Sequence, residues 1–292
     1  MHEPAQGPDA SLVAMVINQA VPRVATRADA RQSFLQTSKI LRGIGQTYGL
    51  DLDLVVLPEH GMLGAPQTTS IDEPLAFADE ALDLLAPVCR EVGIWAAISL
   101  SGGATRNDPF QQMALIDDRG NVVARHSTDS RSQRACAPFR TAVGPNGLRT
   151  ALVYGDRARP FLADQDLWGA ELVIQYWAEP GTSASQVVQS ARSLAWSNTC
   201  FVISANAAGT DGNHHWAGYS SLVSFDGSLL GLCGDLEYEV QFAELPIGDL
   251  RAERRQRAHS ARSVADTFRS HSSLRSQSVH SAAIAKGSAV DV

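Results

Sequence analysis

The chain has 292 residues, 44% hydrophobic and 19% charged, which excludes a disordered polymer and supplies ample material for a buried core. Its formal net charge of −7 argues against a general nucleic-acid binder. No run approaches the roughly 18 apolar residues of a membrane span, the start MHEPAQGPDAS lacks a signal-peptide pattern, and the four cysteines (Cys89, Cys136, Cys200, Cys233) share no short pairing spacing, so a cytoplasmic protein with free thiols and no membrane association is expected.

In chain order, Leu12 to Asn18 (LVAMVIN) is the first strand candidate. Arg27 to Tyr48 reads as a helix, with Phe34, Leu35, Ile40, Leu41 and Ile44 near the helical period. LDLVVLP (52–58) is a continuous apolar run stopped by proline, the pattern of a strand covered on both faces. Glu73 to Val92 predicts a second helix and IWAAISL (94–100) another buried strand. QMALIDDRGNVVARHS reads as a hairpin turning at Asp-Arg-Gly, followed by a Pro/Gly/Ser/Arg-rich loop from Thr128 to Gly147.

The second half repeats the style. LRTALVYG (148–155) is a strand, 161–168 a short helix, AELVIQYW a strand, Ser183 to Asn198 a helix, and TCFVISANAAG a strand ending in a small-residue turn. A hairpin over 219–233 turns at Asp226-Gly227, Val240 to Leu245 is the last strand, and an Arg-rich helix begins near Ile247. Strand–helix–strand units in both halves, joined by right-handed crossovers, predict an α/β fold: two mixed sheets face to face with helices outside, a four-layer α-β-β-α sandwich.

One count constrains the chemistry. Of the 24 basic residues only two, Lys39 and Lys286, are lysines, so no amine side chain lies between residues 40 and 285.

Several ordered segments resemble the nitrilase (carbon–nitrogen hydrolase) superfamily, most closely its aliphatic amidase branch. They are DLDLVVLPEHGMLG, GAELVIQYW, SLAWSNTCFVISANAAGTDG and AGYSSLVSFDGSLLGLCGDLEYEVQFAELPIGDLR. The resemblance implies the sandwich fold and a Glu-Lys-Cys site without cofactor or metal. In that chemistry cysteine attacks to give a thioester. Glutamate is the base that takes the thiol proton and then activates water. The lysine charge supports the oxyanion.

The carry-over is partial. Glu59, in LPEH, matches the base. Counting from Gly120 puts the lysine position at Thr128. The cysteine position falls at Gly155 counting forward from GPNG, or at Tyr154 counting back from Pro160. Residues 137–199 contain no cysteine, so no slip of register restores one. Asp156 matches a carboxylate that follows the family's cysteine, and His60, Trp177 and Glu179 fall at pocket-lining positions, with Tyr154 filling the space beside them. As strand neighbours, Glu59 and His60 are expected to point to opposite faces.

Two function classes follow. One is a non-hydrolytic pseudoenzyme: a homo-oligomer of two or more copies, or a hetero-oligomer with an intact homologue or pathway enzyme, serving as scaffold or small-molecule binder. The other is a repurposed enzyme on an amide-like compound, with Glu59 as general base and Tyr154 or Asp156 assisting. Glu59 without its lysine is expected to recruit an arginine, with Arg125, Arg131, Arg134, Arg157 and Arg159 as candidates. Cys136, among arginines, reads as a loop thiol or a relocated nucleophile. His214-His215 lacks the further ligands a metal needs. The domain expectation is a flexible N-terminus over 1–10, the hydrolase-like domain over 11–258, and an arm with a disordered tail over 259–292. The resemblance places the seven arginines of 251–275 against a neighbouring subunit rather than on nucleic acid.

Overall fold

A computed structural model describes residues 10–64, 74–105, 108–129, 141–155, 169–177, 181–211 and 214–260. The first sheet has the order β14-β1-β3-β4-β5-β6, with β1 (Ser11–Ile17), β3 (Leu54–Val56), β4 (Trp95–Thr105), β5 (Asp108–Ile116), β6 (Val122–Asp129) and β14 (Val240–Pro246). The second has the order β13-β12-β10-β9-β8-β7, with β7 (Ala142–Val143), β8 (Arg149–Tyr154), β9 (Leu172–Trp177), β10 (Phe201–Thr210), β12 (Ser221–Val223) and β13 (Leu229–Leu232). The strands β2 (Gln19–Ala20) and β11 (His215–Ala217) both pair with β10. Both sheets are mixed: β1–β3–β4 and β8–β9–β10 run parallel, and the outer pairs antiparallel.

Helices cover the two outer faces. Helix α1 (Arg27–Tyr48) starts at a capping box in which Thr26 Oγ1 accepts from the Asp29 N–H at 3.2 Å while the Asp29 carboxylate accepts from the Thr26 N–H at 2.8 Å. It buries Phe34 and Leu41 with α2 (Pro74–Val92) against Met15, Val55, Leu57 and Ile98 of the first sheet. Helix α3 (Ala184–Asn198) is capped the same way by Ser183 and Gln186, and lays Ala191, Leu194 and Ala195 on Val153, Val173 and Val202 of the second sheet. The result is the α-β-β-α sandwich expected from the strand–helix alternation.

The inner faces are held together by specific bonds as well as by apolar contact. The buried Asn18, just past β1, donates to the carbonyls of Gly234 (3.0 Å) and Leu236 (3.1 Å) and accepts from the Ser220 N–H (3.2 Å). Asn146 Nδ2 donates to the Ser11 carbonyl at 2.8 Å.

Three details differ from the sequence reading. β2 is a two-residue extension that carries the chain leaving β1 across to β10 of the second sheet, with Gln19 opposite Ala207. It is too short to carry a periodicity. β11 likewise spans three residues. β4 continues to Thr105 through Gly102 and Gly103, past the end of its apolar run, because β5 keeps pairing with it. The expected helix over 161–168 lies outside the described residues.

The described chain divides into two compact units, Met1–Gly248 and Asp249–Val292. The predicted Arg-rich helix, α4, spans residues 247–260. Within it Arg257 Nε bonds the Glu253 carboxylate at 2.7 Å.

Candidate active site

Glu59 follows the C-terminal end of β3. The ladder continues one step past the strand, where the Leu57 N–H donates to the Ala97 carbonyl at 3.0 Å, and the chain then turns through Pro58 and Glu59. His60 sits in the left-handed region at φ 62°. This turn overturns the expectation that Glu59 and His60 face opposite ways. Strand alternation ends at Val56, both side chains are buried, and His60 Nε2 lies 3.9 Å from Glu59 Oε1. Gln19 fastens the same turn by donating to the Gly61 carbonyl at 2.8 Å.

Opposite stand the ends of β8 and β9. Tyr154 is in parallel register with Tyr176, and their ring centroids are 6.5 Å apart. Both rings are buried between the sheets. Burial, reinforced by the negative charge of Glu59, pushes the Tyr176 hydroxyl well above the ordinary phenol range, so it stays protonated and neutral. Tyr176 is therefore a member of this site that the sequence reading passed over. The signal was present in the aromatic pair of QYW, of which only Trp177 was singled out.

Gly155 directly follows β8 and has no room for a side chain. A Cβ at this position would collide with Trp177 Cε3 and lie 2.7 Å from both Cδ2 and Cζ3. Trp177 itself is buried, and its indole N–H donates to Thr182 Oγ1 at 3.1 Å. Trp216 adds a second aromatic wall, edge-on to His60 with centroids 5.4 Å apart.

The structure thus brings Glu59, His60, Tyr154 and Tyr176 to one locus, with Gly155 and Trp177 one residue further along the chain from the two tyrosines. Thr128 lies in β6, in register with Gln111, with β4 and β5 between it and β3. Asp156, Glu179, Cys136, Arg131, Arg134, Arg157 and Arg159 lie outside the described residues. Arg125, a candidate partner for Glu59, instead pairs with Asp79 on α2 at 2.6 Å. His214 Nδ1 lies 3.2 Å from the Asp211 carboxylate, and among the described residues no three His, Cys, Asp or Glu side chains converge as a metal site. Cys89, Cys200 and Cys233 are buried, and burial pushes the thiols of Cys89 and Cys233 up to about 12.

The model of the carbon–nitrogen hydrolases matches residues 12–255. The chain belongs to the carbon–nitrogen hydrolase (nitrilase) family. Among its relatives, a formamidase from Bacillus cereus (strain G9842) is 25% identical over 241 residues, covering 76% of this chain and 70% of the relative. The amidase from Nesterenkonia sp. AN1, solved as a double mutant in complex with acrylamide, superposes with TM-score 0.67 at 20% identity, over 88% of this chain and 98% of that one. The carbon–nitrogen hydrolase from Helicobacter pylori G27 gives 0.65 at 16% identity, over 85% and 93%. These likenesses establish an amidase-like member of the nitrilase superfamily, and the solved structures establish its sandwich fold.

Proposed function

We propose that this family member is a non-hydrolytic, cytoplasmic, amidase-like protein that serves as an oligomeric partner or scaffold and retains at most non-covalent binding of a small ligand. The observation that carries the reading is that both candidate nucleophile positions are taken up by aromatic rings: Tyr154 is itself a buried tyrosine, and the indole of Trp177 fills the volume that a side chain at Gly155 would need. Neither position offers a thiolate. The nucleophile that would make a thioester is missing from both candidate positions, and no lysine between residues 40 and 285 supports an oxyanion. Members of such a catalytic set act as a unit, so loss of the attacking group alone removes nearly all turnover.

Geometry favours Tyr154 over Gly155 as the vacated nucleophile position. Tyr154 faces Tyr176, whose hydroxyl feels the Glu59 charge, whereas Gly155 meets only the Trp177 ring among its nearest neighbours. Glu59 stands at the family's base position, and its burial beside two phenols is the one feature that favours a repurposed enzyme. A panel of small amides, nitriles and carbamoyl compounds separates the two, with Glu59→Gln as control. Formamide and acrylamide head that panel because relatives are named for or solved with them. No turnover supports the scaffold reading; turnover lost in Glu59→Gln ends it.

A further inference from the structure

The second sheet carries a row of polar side chains on the face that α3 covers. Val173, Val202 and Val223 lie on that face, packed against Ala191 and Leu194. Two positions along the same face, Ser204 of β10 is in register with Gln175 of β9 on one side and with Ser221 of β12 on the other. Asn206 follows on β10, opposite Trp177, and its Oδ1 accepts from Ser204 Oγ at 3.4 Å. Gln175 Nε2 reaches α3, donating to Ser190 Oγ at 3.1 Å. Gln175, Ser204 and Ser221 are fully buried and Asn206 is 2% exposed.

Three atoms of this row have no hydrogen-bond partner among the described residues. They are Gln175 Oε1, an acceptor, Asn206 Nδ2, a donor, and Ser221 Oγ, which is both. Left dry, each costs folding its full desolvation. Turning either amide over does not repair the row. Gln175 would then accept from Ser190 and leave its Nε2 without an acceptor, and Asn206 would donate to Ser204 and leave its Oδ1 without a donor.

The chemistry of the three atoms selects the occupant. The side chains of the row are all neutral, so an ion among them would be uncompensated. An apolar group would leave all three atoms unsatisfied. One acceptor, one donor and one hydroxyl around Ser204 form a set that water completes, since a buried water makes about three hydrogen bonds to groups otherwise unpaired.

We propose that this row, enclosed by β9, β10, β12 and α3, is a buried water-binding site: water accepts from Asn206 Nδ2, donates to Gln175 Oε1 and bonds the Ser221 hydroxyl. Asn206 stands opposite Trp177, so the water backs the residue that fills the space at Gly155. Through Gln175 and Ser190 the same network ties α3 to that wall.

Two measurements on the full chain test it. A high-resolution crystal structure is expected to show ordered water within hydrogen-bond distance of both Gln175 Oε1 and Asn206 Nδ2. Denaturant unfolding of Ser221→Ala reads the third contact. Removing a hydroxyl bonded to water is expected to lower the folding equilibrium constant about fivefold, whereas removing a dry, unpaired hydroxyl leaves it unchanged or raises it. A direct bond between the two amides, a larger solute in the site, or no ordered water touching both amides overturns the proposal. So does an unchanged or raised constant for Ser221→Ala. Should that variant lose its fold, the crystal structure decides.

Discussion

Gly155 and Trp177 occupy one volume between them: the indole lies where any side chain at 155 would begin, 2.7 Å from that Cβ at two ring atoms. The pair is coupled, and each residue is legible only through the other. Gly155→Ala is expected to cost about 1–3 kcal/mol through overpacking, and Trp177→Ala about 3–5 kcal/mol through the cavity it leaves. The double variant Gly155→Ala/Trp177→Ala should cost less than the sum, because the methyl enters vacated space. A denaturant-melt cycle over the four proteins checks this; strict additivity contradicts it.

Alkaline pH gives a second expectation. The Tyr176 phenol is raised in the folded state by burial and by Glu59. A free phenol titrates near 10, so above that pH the unfolded chain releases a proton that the folded chain keeps. Stability from this group is therefore complete below pH of about 10 and falls as pH rises toward the folded-state value. Tyr176→Phe should flatten that alkaline decline, measured as melting temperature against pH. Because the hydroxyl has no hydrogen-bond partner among the described residues, the same substitution should cost little at neutral pH.

Asn18 makes a third. Its side chain bonds two carbonyls and one N–H on the segments that follow β13 and β11. Asn18→Ala strands the buried Ser220 N–H and removes bonds to two carbonyls that are not fully buried, and should destabilise by roughly 1–3 kcal/mol. Asn18→Asp should restore the bond from Ser220 but not the two donated bonds. Chemical denaturation of the two variants checks the ranking.

Much of the fold was readable because its signals are local. The helix over 27–48 carries its own capping box and apolar stripe, and the runs at 54–56 and 172–177 are apolar throughout because both faces are covered. What escaped reading depends on tertiary placement. β2 exists only because β1 ends beside β10. His60 turns toward Glu59 only because the backbone takes φ 62° there. Tyr176 joins the site through its register with Tyr154, a relationship between strands that a single chain position does not announce. The lysine count, by contrast, required no structure at all.

The buried thiols carry a fourth expectation. Cys89 and Cys233 are pushed up to about 12 and stay protonated at pH 8, and Cys200 is buried away from reagent. Iodoacetamide on the native protein should leave all three unmodified, and mass spectrometry should find adducts there only after unfolding. Rapid native labelling at any of them would contradict the burial described here.

The central claim is that this carbon–nitrogen hydrolase fold carries no working acyl-transfer centre. Intact-protein mass spectrometry during incubation with formamide and acrylamide, with ammonia release followed in parallel, tests it most directly. No acyl adduct on the protein and no ammonia above the rate without protein are expected. An acyl adduct together with ammonia release that disappears in Glu59→Gln would contradict it.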